Sequence, residues 1–153
     1  MARIFNVERS SVKEIEAEMR KISPWALWTL NFQVTRSLLA DVAPRIRALR
    51  LEIKEFLLLS ELDAHPNPAD LARALVTPKP SVTFMVKRME AVGYVRRELQ
   101  RDDLRRFRLT LTPSGRSAME SARQIFDQEF GRRLSRLTQA QRLELMRILE
   151  RMA

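Results

Sequence analysis

The most constraining feature of the sequence is a change of periodicity at Gly93. Before it, apolar residues recur at helical spacing, at Val82, Met85, Val86, Met89 and Val92. After it, apolar and polar residues alternate over residues 94–99 and again over residues 106–111, which is typical of β-strands. Gly93 itself is suited to a left-handed helix C-cap. The centre of the chain is therefore predicted to be a helix followed directly by a hairpin.

A second, shorter helix precedes this one across a tight break. Asn67 is a favourable N-cap and Pro68 a favourable first helical residue, which predicts a helix over residues 69–75. The segment Thr77-Pro78-Lys79-Pro80 then interrupts the chain before the next helix begins. Two helices across a short break, followed by a hairpin with a loop at residues 100–105, predict a winged helix-turn-helix.

Helical patterns flank this lobe on both sides. Helices are predicted from residue 11 to 22, from Pro24 onward with an interruption at Pro44, and over residues 51–62, where the helix is apolar almost all round and belongs in the core. Capping patterns at Thr112 and Thr138 open two further helices, which end near Arg133 and Met152. The predicted fold is mainly α with a small antiparallel β wing.

Positive charge is concentrated in the middle of the sequence. The chain has 28 lysines and arginines against 19 acidic residues, a net charge of +9, and residues 67–116 hold 11 of the basic and 5 of the acidic side chains. A focused positive field attracts polyanions and releases their counterions. Nucleic acid is therefore the leading partner, and a basic surface that serves only solubility is the alternative.

The composition also excludes several kinds of site. With no cysteine and a single histidine, His65, the chain offers no disulfide, thiolate zinc site, cysteine nucleophile or histidine metal cluster. The carboxylates form no recognisable acid–base pair and are interpreted as solvated helix faces. We expect no catalysis, metal or cofactor. The longest apolar run, residues 56–59, and the absence of an apolar leader predict a soluble cytoplasmic protein.

The ordered motifs of residues 51–115 resemble those of the MarR family of bacterial transcription regulators. They are the helix at 51–62, then Leu71-Ala72, Ser81-Val82-Thr83, Val86-Lys87-Arg88-Met89-Glu90, Gly93-Tyr94-Val95-Arg96-Arg97, Asp103-Leu104-Arg105 and residues 109–115. The resemblance implies a homodimer that binds a pseudo-palindromic operator on double-stranded DNA, usually as a repressor that a small molecule releases. A winged-helix protein-interaction or RNA-binding module without operator specificity is the alternative.

The resemblance also implies a division of the chain into three segments. Residues 1–48 are expected to supply N-terminal helices for dimerisation and an effector pocket, residues 49–112 the DNA-binding lobe, and residues 113–153 the C-terminal dimerisation helices. Trp25, Trp28 and Phe32, with Phe56, are candidates to line a pocket for a small aromatic or phenolic carboxylate. Ordinary core packing or a dimer contact is the alternative for these rings.

Candidate DNA contacts lie on the second helix of the motif and on the wing. Ser81 and Thr83 are assigned to base edges or phosphate and Lys79 and Lys87 to phosphate, with a solvated face as the alternative. The remaining candidates are Arg88 on the same helix and Arg96, Arg97, Arg101, Arg105 and Arg106 in the wing. Arg105 is suited to a narrow A·T-rich minor groove, and Arg101 could replace it. The strand arginines could instead be ion-pair partners of residues such as Glu98.

Phe84 departs from the family pattern. It stands where the family often places a polar or basic side chain that contacts bases. An aromatic side chain there could contact thymine methyl groups in the major groove, or it could pack against the neighbouring helix. Both interpretations are open at the level of sequence.

Overall fold

The computed structural model describes residues 23–100 and 103–152. Its elements, in chain order, are α1 (Pro24–Ala48), α2 (Ile53–Glu61), α3 (Pro68–Ala74), α4 (Lys79–Val92), β1 (Val95–Gln100), β2 (Asp103–Leu111), α5 (Pro113–Leu134) and α6 (Gln139–Met152). The chain divides into two compact units at residues 38 and 39. The helix predicted at residues 11–22 lies outside the described residues. Within them, no helix has the length and hydropathy to cross a bilayer.

Helix α1 continues past its internal proline. Pro44 was expected to interrupt it, and this is wrong, since the helix extends to Ala48. Proline removes one backbone hydrogen bond and strains the preceding turn, at a cost of about 3 kcal/mol. Val42 and Ile46, on either side of Pro44, are both fully buried, and their burial offsets that cost.

The core of the second unit lies between α2 and the helix-turn-helix. Leu58 and Leu59 of α2 are fully buried, which confirms that this helix is central. Against them in the same core lie side chains from α3, α4 and β2: Leu71, Val82, Met89 and Leu109. Asn67 caps α3 as predicted, because its Oδ1 accepts a hydrogen bond from the Ala69 N–H at 2.9 Å.

The hairpin is the expected antiparallel wing. Val95 pairs with Leu111 and Leu99 with Phe107, and the register shifts between Leu99 and Gln100. The second strand begins at Asp103, three residues before its predicted start, so the predicted loop over residues 100–105 is too long. The irregularity after Leu99 lets Gln100 pair with Asp103 and extends the ladder toward the turn.

Helix α4, the wing and α5 meet at a junction built around Thr112. The Thr112 Oγ1 donates to the Gly93 carbonyl at 2.7 Å and accepts from the Gly115 N–H at 3.0 Å, while the Thr112 N–H donates to the Tyr94 carbonyl at 3.0 Å. Gly93 adopts φ +84° to end α4, as predicted. A Cβ at Gly115 would lie 2.0 Å from the Tyr94 oxygen, so this helix start approaches the wing more closely than any side chain permits.

Charged residues join the end of α1 to α5. Glu129 is 5% exposed and its Oε1 lies 3.4 Å from the Arg45 Nη1. Arg132 also pairs with Glu129, and Arg133 pairs with Asp41 of α1. Glu129 is therefore a buried carboxylate with a structural role, and its interpretation as part of a solvated face is wrong.

Candidate nucleic-acid interface

One face of α4 is exposed to solvent in the part of the chain that the structure describes. Val82, Met85, Val86 and Met89 are buried toward the core. At helical spacing on the opposite side lie four exposed residues, which we call the outward face of α4: Pro80, Phe84, Lys87 and Ala91. A helix with one exposed long side is the element that a major groove about 12 Å wide can admit.

The polar candidates at the start of α4 are exposed, as predicted. Lys79, Ser81 and Thr83 all face solvent, and the Thr83 hydroxyl donates to the Lys79 carbonyl at 3.0 Å, which leaves its oxygen able to accept. Within the described part of the chain, no carboxylate lies within ion-pair distance of Lys79 or Lys87. Both ammonium groups are therefore available to an external anion.

Arg88 has an internal partner. Its guanidinium pairs with the Glu55 carboxylate on α2, whose side chain is only 4% exposed. Glu55 Oε2 also accepts the Glu52 N–H at 2.7 Å, which completes a capping box at the start of α2. The hydrogen bond to Glu55 raises the pKa of Arg88 above its ordinary value, against a smaller opposing effect of burial. Arg88 therefore fixes α4 against α2 and has less freedom to follow a phosphate.

Sequence reasoning missed Glu55. It lies on an amphipathic helix among other charged residues, where a carboxylate ordinarily faces water. The one local signal is its position three residues after Glu52, which is the spacing of a capping box. Its ion pair with a residue 33 positions away depends on how α2 and α4 pack, and the sequence has no periodic signal for that.

The strand arginines also pair within the chain. Arg97 Nε lies 2.8 Å from Glu90 Oε1 of α4, and its guanidinium lies over the Phe107 ring at 4.7 Å. Arg96 pairs with Glu98 at 2.7 Å, the partner that the sequence suggested as the alternative to DNA. Arg97 thus attaches the wing to α4. Arg101 lies outside the described residues, and so do the side chains of Arg105 and Arg106, whose backbone belongs to β2.

Phe84 does not pack against the neighbouring helix. Its side chain is 69% exposed, which excludes that interpretation. It lines an open groove of about 840 Å³ together with Val76 and Pro78 from the turn before α4 and Ile53 from α2. Val76 is 92% exposed. The start of α4 therefore presents apolar surface among its basic residues.

The candidate effector residues fall in both units. In the first, Trp25 and Trp28 stack at 5.2 Å between centroids, and Trp28 and Phe32 at 5.3 Å. The three rings are 71%, 54% and 48% exposed, so they form no core of their own. In the second unit, Phe56 is 8% exposed and stacks on Phe126, which is the packing role given as its alternative.

Similarity to known proteins agrees with this arrangement. Residues 51–106 match the sequence model of the MarR family. The chain is 32% identical over 126 residues to the HTH-type transcriptional repressors Mb2911 of Mycobacterium bovis and Rv2887 of Mycobacterium tuberculosis, covering 80% of this chain and 90% of each relative.

Solved structures show the same fold. The M. tuberculosis MarR family protein Rv2887 in complex with DNA has a TM-score of 0.70 and 28% identity over 86% of this chain and 99% of its own. Wild-type MarR of E. coli in its apo form has a TM-score of 0.72 and 22% identity, covering 86% of this chain and 98% of its own. The chain belongs to the MarR family of winged-helix transcription regulators.

Proposed function

We propose that this protein is a ligand-responsive repressor that binds a pseudo-palindromic operator as a homodimer, with α4 in the major groove and the wing beside it. The observation that carries the proposal is the outward face of α4, which is exposed and carries Lys87. Like Lys79 at the start of the helix, Lys87 has no carboxylate partner among the described residues. The protein is a regulator and not an enzyme. Chromosomal DNA as partner would place it in the cytoplasm.

A homodimer accounts for the apolar surface of the last helix. Helix α6 buries none of its residues within the chain. Five of its six large apolar side chains are 43% to 78% exposed, and Leu145 is half-buried. The five are Leu143, Met146, Ile148, Leu149 and Met152. Contiguous apolar surface of this kind marks an interface. We assign residues 113–153 and 1–48 to dimerisation and residues 49–112 to DNA binding.

Selection from random DNA duplexes tests the proposal. A homodimer with two equivalent DNA-binding lobes should enrich an inverted repeat whose half-sites are separated by about one helical turn, near 10 base pairs. Enrichment of a single half-site, or of no sequence at all, would contradict operator binding by a dimer.

The residue roles follow from position. We propose that Lys79 contacts phosphate and that Ser81 and Thr83 contact base edges or phosphate. Arg105 is proposed to enter the minor groove from the wing, with Arg101 as the alternative, on the strength of the motif resemblance alone. Arg106 is proposed to add a phosphate contact, and so is Arg96, whose side chain remains 62% exposed despite its pair with Glu98.

Lys87→Ala is expected to weaken binding to all duplexes by a similar factor. Its ammonium is an exposed point charge on the outward face of α4 and has no internal partner among the described residues. Loss of one phosphate contact should reduce the slope of log K against log salt by about 0.9. Binding titrations at several salt concentrations measure this, and an unchanged slope would remove Lys87 from the interface.

We further propose that an aryl carboxylate is the effector. The M. tuberculosis relative Rv2887 has been solved with salicylic acid and with p-aminosalicylic acid. In this chain the stacked, exposed rings of Trp25, Trp28 and Phe32 offer aromatic surface to such a ligand. Calorimetry over phenolic and aryl carboxylates should find a binder that lowers operator affinity. A panel without such a compound would contradict ligand responsiveness and leave operator binding unaffected.

A further inference from the structure

The outward face of α4 has an apolar centre. Phe84 lies between Pro80 one turn earlier and Lys87 one turn later, and it is 69% exposed. An exposed phenyl ring is unfavourable in water, because apolar surface is more stable when it is removed from water. A helix that contacted only phosphates would gain nothing from such a ring at its middle. The middle of the outward face of α4 therefore carries an apolar side chain.

Val76 extends this surface from a strained position. It has φ +47°, in the left-handed region that a β-branched residue rarely adopts. It is also 92% exposed, so its side chain contributes almost nothing to the core in compensation. Strain of this kind persists where the surrounding structure enforces it, and it often marks a functional position. Phe84 and Val76 line the same groove.

We propose that Phe84, with Val76 beside it, is a specificity determinant that recognises the C5-methyl groups of thymines in the operator. This inference rests on the proposed function. The thymine methyl is the apolar group that base edges present in the major groove, and apolar side chains recognise it by contact. No hydrogen bond from Phe84 could contribute, because its ring has neither donor nor acceptor.

The charge around Phe84 favours DNA over a protein as the partner that binds this surface. Lys54 lines the same groove beside Glu52 and Glu55, and the Glu55 carboxylate is paired with Arg88. Lys79 and Lys87 lie on the same helix as Phe84. The central residues 67–116 hold 11 basic against 5 acidic side chains. An apolar spot beside these lysines suits a ligand that combines phosphates with exposed methyl groups.

Deoxyuridine substitution tests the proposal directly. In the operator obtained by selection, the thymine positions are replaced by deoxyuridine one at a time, at the equivalent place in both half-sites. Deoxyuridine keeps the base pair and removes only the methyl. At one or two positions per half-site, the wild-type protein should bind the substituted duplex about 4-fold more weakly for each contacted methyl, and about 15-fold for a symmetric pair. Phe84→Ala should bind the two duplexes with equal affinity, because its affinity for the thymine duplex falls to its affinity for the uridine duplex.

Two variants complete the experiment. Lys87→Ala is the matched control on the same face, and it should weaken both duplexes while preserving their ratio. Val76→Gly should reduce the ratio and, by relieving the positive φ, raise thermal stability. Equal wild-type affinity for thymine and uridine at every position, or an undiminished ratio in Phe84→Ala, would overturn this inference while operator binding stood. Failure to select any operator would overturn the proposed function as well.

Discussion

Replacement of Gly115 with alanine should lower the free energy of unfolding by about 3 kcal/mol or more. The new Cβ would lie 2.0 Å from the Tyr94 carbonyl oxygen and 2.8 Å from its carbon, and these backbone atoms cannot rotate aside as a side chain would. The same oxygen accepts the Thr112 N–H, so relief of the clash must break the Thr112 junction. Denaturant unfolding at one fixed protein concentration measures the loss.

The other two glycines provide graded controls. Gly93 has φ +84° and open space around its Cβ position, so Gly93→Ala should cost only about 1 to 2 kcal/mol of conformational strain. Gly131 has open space within the chain and lies inside α5, so Gly131→Ala should stabilise by about 0.5 to 1 kcal/mol. If Gly115→Ala were no worse than Gly93→Ala, the close approach at the Thr112 junction would be wrong.

Arg88→Ala should destabilise the fold by about 2 kcal/mol, after allowance for the part of the guanidinium that faces water. The substitution leaves the Glu55 carboxylate buried at 4% exposure, and among the described residues the Glu52 N–H is then its one remaining hydrogen-bond donor. Thermal or denaturant unfolding detects the loss. The neighbouring Lys87→Ala should change stability by less than about 0.5 kcal/mol, since an exposed surface substitution has little effect.

A double variant distinguishes the ion pair between Arg88 and Glu55 from a contact of Arg88 with DNA. Glu55→Gln combined with Arg88→Ala should recover part of the lost stability, because a neutral amide still accepts the Glu52 N–H without burying a charge. Under conditions in which Arg88→Ala remains folded, its salt slope should match the wild type. If the slope of log K against log salt fell by about 0.9 and stability were unchanged, Arg88 would instead contact a phosphate.

The elements were predictable because each has a local signature. Asn67, Gly93, Thr112 and Thr138 mark helix ends through their own side chains or backbone freedom, and the predicted capping box at Thr138 forms with Gln141. The change from helical to alternating spacing at Gly93 is likewise local. Pro44 misled the prediction because burial on either side, which the sequence does not display, sustains the helix.

The candidate site was predictable in outline and less so in detail. Spacing placed Lys79, Ser81 and Thr83 on an exposed face. It could not show which arginines have internal partners, because Arg88 and Glu55 meet only through the packing of α2 and α4. Nor could it decide between packing and exposure for Phe84, since both are compatible with one helical wheel.

The length of α5 means that a small tilt at one end produces a larger displacement at the other. The helix contains 22 residues and therefore spans about 33 Å. Its first turn is bonded to the wing and α4 at the Thr112 junction, and near its far end Glu129 holds Arg45. A tilt of α5 by about 5° around the end near Glu129 would move its first turn by about 3 Å, which is the length of a hydrogen bond. In the proposed homodimer, a small rotation of α5 would therefore be enough to misalign the two DNA-binding lobes with their half-sites.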